Sequence, residues 1–136
     1  MESILLVEDD PDITRLLNLH FSRQLFRFAS CSTGEEAIDK ISNEDFDLIM
    51  LDVSLPDING MDVCKKLRES NVKTPIMMLT ARSEEKDKEL AMELGADDYM
   101  TKPFGIFELT KRIQLLLRRE DQTPGTEAPT QQEFFF

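Results

Sequence analysis

Cysteine is scarce in this chain of 136 residues, and its two copies, Cys31 and Cys64, stand far apart. Neither belongs to a closely spaced pair of the kind that binds a metal or forms a redox-active disulfide. One disulfide bond between them is conceivable, but two free thiols in a reducing compartment are the better interpretation. The sequence therefore gives no sign of a thiolate metal site, and it predicts a cytoplasmic protein.

Long apolar segments are also missing. The first apolar run, from Ile4 to Val7, is far shorter than the ~20 residues of a membrane-spanning helix. The few residues before it, Met1 to Ser3, do not have the character of a signal peptide. We therefore expect neither a membrane span nor a secretion signal.

Positive charge is in short supply, because 16 basic residues stand against 27 acidic ones and the formal net charge is −11. A surface of that sign repels phosphate backbones and anionic lipids. This argues against direct binding of nucleic acid or of a membrane by this segment. The rest of the composition, 40% hydrophobic and 32% charged, is typical of one folded domain.

Five short apolar runs alternate with amphipathic stretches along the chain. They predict β-strands at Ser3–Val7, Leu25–Ala29, Leu48–Leu51, Ile76–Leu79 and Tyr99–Met100. Apolar residues at helical spacing fill the gaps; in the first gap, Ile13, Leu16, Leu17 and Phe21 recur at steps of three and four. This alternation predicts a doubly wound α/β domain with a parallel sheet and helices on both faces.

The composition changes after residue 119. The segment from Glu120 to Glu133 contains Pro124, Gly125 and Pro129, several Thr and Gln residues, and no basic residue. This composition is typical of a linker. We predict a domain at residues 1–119 and a linker or tail at residues 120–136.

Chemically reactive side chains gather where the predicted strands end. Glu8 and Asp9 follow the first strand, Asp52 follows the third, Thr80 ends the fourth and Lys102 follows the fifth. In an open parallel sheet these ends form one binding edge. Each acidic residue alone could simply cap a helix. All of them together at successive strand ends favour a shared site.

Such a site has the components of phosphoryl transfer. Carboxylates at close range raise each other's pKa unless a cation neutralises them, and oxygen ligands suit Mg²⁺ or Mn²⁺. A carboxylate can also act as the nucleophile, with Lys102 and a hydroxyl near the phosphoryl oxygens. The pattern therefore predicts a magnesium-dependent phosphoryl site at this edge.

Four segments together resemble the response-regulator receiver domain of bacterial two-component signalling. They are residues 4–9 (Ile-Leu-Leu-Val-Glu-Asp), 48–60 (from Leu-Ile-Met-Leu-Asp to Asn-Gly), 78–81 (Met-Leu-Thr-Ala) and 95–104 (from Gly-Ala-Asp-Asp-Tyr to Lys-Pro-Phe). The resemblance covers about residues 2 to 119. It implies a flavodoxin-like sheet of five parallel strands in the order 2-1-3-4-5.

The resemblance also implies a role for each residue of the site. Asp52 would be the phosphoacceptor. Asp9, Asp52 and the backbone carbonyl of Ser54 would bind the metal, and Glu8 would act on it through water. Asp10, one place further on, would instead start the first helix.

Three further positions match the catalytic and switching residues of the family. Lys102 would contact the phosphoryl group, and its peptide bond to Pro103 would be cis. Thr80 would assist the phosphoryl transfer, and Thr80 and Tyr99 would form the switch pair. Ser54 and Arg82 resemble positions that tune the lifetime of the phosphoryl group, although both could be ordinary loop residues.

The resemblance further implies partners. A sensor histidine kinase would donate the phosphoryl group from a phosphohistidine, and the chain would act as a switch rather than as an enzyme. The OmpR/PhoB-type subfamily would add a homodimer through the fourth helix, fifth strand and fifth helix, and DNA binding only through an effector domain that this chain lacks. The candidate residues of the dimer face are Lys88, Asp97, Asp98, Glu108, Arg112 and Arg119. A solvated surface with ordinary ion pairs is the alternative for this face.

Three other interpretations are weaker. A Mg²⁺-dependent aspartyl phosphohydrolase would carry a second Asp two residues after its nucleophile, where this chain has Ser54, and would need a cap for its substrate. A stand-alone receiver that docks on another protein fits the linker less well. A flavodoxin-like cofactor site would need a phosphate-binding loop after the first strand, where this chain has acidic residues.

Overall fold

The computed structural model describes residues 1–81 and 84–121. Strands and helices alternate strictly in these ranges. The strands are β1 (Ser3–Val7), β2 (Arg27–Cys31), β3 (Leu48–Asp52), β4 (Ile76–Thr80) and β5 (Asp98–Thr101). The helices are α1 (Pro11–Arg23), α2 (Gly34–Asn43), α3 (Gly60–Glu69), α4 (Glu85–Glu93) and α5 (Ile106–Asp121).

All neighbouring strands are parallel, and their order is β2-β1-β3-β4-β5. Every residue of β1, β3 and β4 is buried. This explains why their sequences are continuously apolar, since helices cover both faces of the central strands. The predicted fold class and strand order are confirmed.

Two apolar cores lie on opposite faces of the sheet. In β1, Leu5 packs toward α2, α3 and α4, while its neighbour Leu6 packs toward α1 and α5. Phe21 of α1 is fully buried in the second core, and burying a side chain of this kind contributes about 1.5–3 kcal/mol. Because successive side chains of a strand point to opposite faces of the sheet, the same strands contribute to both cores.

Two expectations about the start of the chain were wrong in detail. Strand β2 begins at Arg27 rather than Leu25. Leu16, which the helical spacing placed on the apolar face of α1, is 52% exposed, and only Leu17 and Phe21 of that stripe are fully buried. Four apolar residues at steps of three and four span more of a helix surface than the sheet covers.

Leu25 belongs to the turn that ends α1. Its φ is +67°, and backbone bonds run from Leu25 N to Ser22 O (3.2 Å) and from Phe26 N to Phe21 O (3.2 Å). This pair of bonds is the Schellman arrangement, which requires one left-handed residue. Helices α3 and α4 end in the same way, but with Asn71 and Gly95 at that position. Of these three residue types, leucine is the least suited to the left-handed conformation.

We expect Leu25→Gly to stabilise the protein. A left-handed conformation costs an L-residue about 1–2 kcal/mol, whereas glycine adopts it freely. The added freedom of the unfolded chain takes back about 0.4–1 kcal/mol. The Leu25 side chain is 74% exposed, so little packing is lost. Urea unfolding should show a net gain in the free energy of unfolding of up to ~1.6 kcal/mol. Leu19→Gly, at another exposed leucine within α1, should instead lose about 1 kcal/mol; a loss in both variants would contradict the assignment.

Both cysteines are free thiols in the structure, as predicted, with Cys31 half-buried and Cys64 buried. Among the described residues, no helix has the length and apolar character that a membrane crossing demands.

Candidate functional site

Three carboxylates meet at the carboxyl edge of the sheet. Glu8 and Asp9 come directly after β1, and Asp52 is the last residue of β3, which lies beside β1 in the register Val7 to Leu51. One oxygen of each carboxylate lies within 4.8 Å of the others. The adjacency of β1 and β3 thus places three acidic groups around one point.

Lys102 reaches this cluster from the edge of the sheet. Its backbone N–H donates to Thr80 O (2.7 Å), which fixes the chain just after β5. Its Nζ donates to Glu8 Oε1 at 2.8 Å and lies 3.3 Å from Asp52 Oδ2. The side chains of Glu8 and Asp52 are only 1% and 4% exposed. The peptide bond from Lys102 to Pro103 is cis, as the resemblance implied.

The electrostatics of the cluster favour a cation. Burial raises the pKa of Glu8; the hydrogen bond from Lys102 opposes this rise and the charge of Asp52 adds to it. Burial works against the charged form of Lys102, but the hydrogen bond to Glu8 and the charge of Asp52 outweigh it and raise its pKa. With all groups ionised, three carboxylates and one ammonium leave two negative charges in excess. A divalent ion with oxygen ligands fits this set.

Backbone donors orient two of the carboxylates. Ser54 N donates to Asp52 Oδ1 (3.1 Å), and Asp10 N donates to Glu8 Oε2 (3.2 Å). The Asp10 side chain accepts from Asp12 N (2.9 Å) and caps α1, as predicted. Asp9 is exposed. The cluster therefore opens to solvent on the Asp9 side and is enclosed around Glu8 and Asp52.

The predicted switch residues lie on β4 and β5, the strands that follow β3 in the sheet. Thr80 is the last residue of β4 and is fully buried. Tyr99, on the neighbouring strand β5, is also buried and pairs in register with Met78. Their roles in switching stay predictions. Arg82 lies outside the described residues.

Three of the predicted dimer-face residues form ion pairs with one another. Arg112 donates to Asp98 Oδ1 (2.7 Å) and lies 3.2 Å from Glu108 Oε2. Lys88 on α4 is exposed and borders the same surface groove, which Glu108 and Arg112 also line. This surface presents charges of both signs.

Asp97 lies elsewhere. It precedes β5, at the amino ends of the strands, and its Oδ2 accepts from Arg68 (2.9 Å) and from Ile76 N (2.9 Å). A contact with a second chain would compete with these bonds, and the place of Asp97 in the dimer face stays a prediction. The side chain of Arg119 lies outside the described part of the molecule.

Residues 4–114 match the family described as "Response regulator receiver domain". The chain belongs to this family. It is 48% identical over 120 residues to the alkaline phosphatase synthesis transcriptional regulatory protein PhoP of Bacillus subtilis, covering 88% of this chain and 50% of that protein. It is 41% identical over 122 residues to response regulator ArlR of Staphylococcus aureus, covering 90% of this chain and 55% of that protein.

Both relatives are OmpR/PhoB-type regulators, in agreement with the predicted subfamily. The chain spans about half the length of these curated relatives. Among solved structures, the BeF3-activated N-terminal receiver domain of Klebsiella pneumoniae RstA superposes with a TM-score of 0.82 at 32% identity, covering 86% of this chain and 99% of that one. This segment is therefore the receiver domain of a two-component response regulator.

Sequence reasoning missed two residues near the site. Both lie in or beside the loop that follows Asp52: Asp57 binds the backbone of α2, and Gly60 packs against the backbone of Asp52 and Val53. The sequence Pro56-Asp57-Ile58-Asn59-Gly60 shows only that a turn lies there. Which backbone the turn touches depends on the packing of other elements.

Proposed function

We propose that this receiver domain is a phosphorylation-dependent switch in which Asp52 accepts a phosphoryl group from the phosphohistidine of a sensor histidine kinase. The observation that carries the proposal is the meeting of Glu8, Asp9 and Asp52 within 4.8 Å, with the Lys102 ammonium against two of them. Structural stability alone does not require this arrangement, because buried like charges are costly.

A divalent metal, Mg²⁺ or Mn²⁺, fits the donor set. Asp9, Asp52 and the backbone carbonyl of Ser54 would hold it, and Glu8 would act through water. When bound, the ion neutralises negative charge on the oxygens of the transferred group. The two excess negative charges and the exclusively oxygen-containing donors support this assignment.

The transfer itself needs few protein groups. An Oδ atom of Asp52 attacks phosphorus, the P–N bond of the phosphohistidine breaks, and its electron pair returns to the imidazole nitrogen. Lys102, already directed at Asp52 by its bond to Glu8, would bind a phosphoryl oxygen. Thr80 would donate its hydroxyl to another. Alignment and charge neutralisation therefore supply most of the catalysis, and slow hydrolysis of the acyl phosphate resets the switch.

The output would pass through Thr80 and Tyr99. Phosphorylation adds about −1.5 to −2 charges and three acceptor oxygens beside Thr80. The hydroxyl moves toward the phosphoryl group, and the Tyr99 ring adjusts on the adjacent strand. The surface formed by α4, β5 and α5 would then form a homodimer, with intrachain pairs such as Arg112–Asp98 exchanged for interchain ones.

The longer organisation is part of the same proposal. Residues 1–119 would form the receiver and residues 120–136 a linker, most of which lies outside the described residues, while α5 itself continues to Asp121. DNA would be bound only by an effector domain and not by the receiver. The setting would be the cytoplasm. The PhoP and ArlR relatives support this view, because they are named as regulatory proteins and this chain spans only about half of each.

Labelling with a small phosphodonor tests the proposal. With acetyl phosphate and Mg²⁺, intact-mass spectrometry should show one added phosphoryl group on the wild type. Asp52→Asn should abolish the labelling, because an amide is not a nucleophile of this kind, and excess EDTA should suppress it. Asp62→Asn, at an acidic residue in the first turn of α3, serves as the matched control and should label normally. Undiminished labelling of the Asp52 variant would refute the assignment.

A further inference from the structure

Asp57 connects the loop after the phosphoacceptor to another helix. Its Oδ1 accepts from Gly34 N (2.8 Å) and its Oδ2 from Glu35 N (2.9 Å), the first two backbone donors of α2. A helix cannot satisfy these donors itself. Thr33, the N-cap, covers the next one through Glu36 N (3.1 Å). The loop between β3 and α3 thus supplies part of the cap of α2.

The same junction is tightly packed. Gly34 has no side chain where it faces this loop, and an added Cβ would lie 2.9 Å from Val63 Cγ2 and 3.2 Å from Ile58 Cβ. Ile58 in turn packs against the buried core. The loop is therefore held to α2 by two hydrogen bonds and by close apolar contact.

At its other end, the loop is joined to the phosphoacceptor. Gly60 N donates to Val53 O (2.8 Å), which closes the loop at its base. Ser54 N donates to Asp52 Oδ1 (3.1 Å). The position of Ser54 relative to the Asp52 carboxylate therefore depends on how firmly the loop is held.

We propose that Asp57 is a positioning residue of the phosphoacceptor site: by binding the first backbone donors of α2 it fixes the 53–59 loop, and with it the Ser54 backbone that would bind the metal. The inference rests on the proposed function and deepens it. The bonds from Gly34 and Glu35 hold the pKa of Asp57 below its usual range, so the carboxylate is charged at neutral pH. A charged acceptor at a helix N-terminus is the favourable arrangement.

The test is a Mg²⁺ titration followed by backbone amide NMR, with the Ser54 amide as the reporter. Asp57→Ala should raise the Kd for Mg²⁺ about three- to tenfold, which is at or below the lower end of the roughly 10–100-fold range for residues that directly position metal ligands, because Asp57 acts through the loop. Asp57→Asn keeps one acceptor oxygen and should give an intermediate Kd. Thr33→Ala is the matched control, because it removes a cap from the same helix end without touching the loop.

The outcomes separate three cases. Weaker Mg²⁺ binding in both Asp57 variants, with Thr33→Ala within about twofold of the wild type despite a similar loss of Tm, supports the inference. Wild-type Kd in Asp57→Ala, or equal weakening in Thr33→Ala, overturns it and leaves the phosphoacceptor assignment intact. If the wild type itself binds no Mg²⁺, the proposed function fails and the inference fails with it. Should Asp57→Ala not fold, the Asp57→Asn variant decides between the same results.

Discussion

Replacing Lys102 by methionine is expected to cause the largest loss of function among substitutions that leave all three carboxylates in place. The Lys102 side chain is 19% exposed and pairs with Glu8 and Asp52, which are almost completely buried. Methionine keeps most of the length but leaves two buried carboxylates without their counter-charge. Breaking a buried pair in this way costs about 3–5 kcal/mol, and we expect the free energy of unfolding without added metal to fall by about 3 kcal/mol.

The rate at which Lys102→Met is phosphorylated should also fall strongly. If Lys102 binds a phosphoryl oxygen in the transition state, its loss should slow labelling by acetyl phosphate about a hundredfold or more. Saturating Mg²⁺ should restore part of the stability but not the rate, because the metal and the ammonium would neutralise different oxygens of the transferred group.

Substitution of a second lysine, Lys40, provides the control for Lys102→Met. Lys40 pairs with Glu44 at 3.2 Å, but both side chains are substantially exposed. Lys40→Met should therefore change the free energy of unfolding by less than ~0.5 kcal/mol and leave labelling unaffected. A Lys102→Met variant that unfolds and labels like Lys40→Met would show that Lys102 is an ordinary surface cation.

Gly60→Ala is expected to have the largest effect on stability of any single methyl group added near the site. A Cβ at Gly60 would collide with the backbone carbonyl oxygen of Asp52 and lie 2.8 Å from Val53 Cα. Backbone cannot move aside as a flexible side chain can. Overpacking of this kind costs about 1–3 kcal/mol or more, and here we expect the upper end of that range.

The substitution should also slow phosphoryl transfer, because the displaced atoms belong to Asp52, the proposed phosphoacceptor. Labelling of Gly60→Ala should be slower even at temperatures where the variant is folded. Gly105→Ala is the matched control, since nothing lies within 4 Å of a Cβ at that position, and its change in unfolding free energy should stay within about 0.5 kcal/mol. Wild-type stability in Gly60→Ala would mean that the loop does not pass so close to Asp52.

The sheet and the carboxylate cluster were predictable because they depend on simple periodicities. Strands β1, β3 and β4 are buried on both faces and therefore read as continuous apolar runs. The ends of parallel strands fall on one edge, so Asp9 and Asp52 could be brought together from the sequence alone.

Features that depend on local turns or on distant contacts were not predictable. Leu25 looked like the start of a strand, yet its apolar side chain is exposed because it occupies the left-handed position of a helix end. Strand β2 lies at the edge of the sheet with only partial burial, so its pattern is weak. The hydrogen bonds of Asp57 to α2 and the ion pair of Asp97 with Arg68 join segments more than 20 residues apart, and no local pattern encodes such pairings.

The proposed function depends on one divalent ion shared by the carboxylates of Asp9 and Asp52, opposite the ammonium group of Lys102. The most direct measurement is an anomalous difference map from a crystal of the protein soaked with Mn²⁺. We expect one strong peak about 2.0–2.3 Å from a carboxylate oxygen of each of these two aspartates. A map with no peak between them, or with its strongest peak at another group of acidic residues, would contradict it.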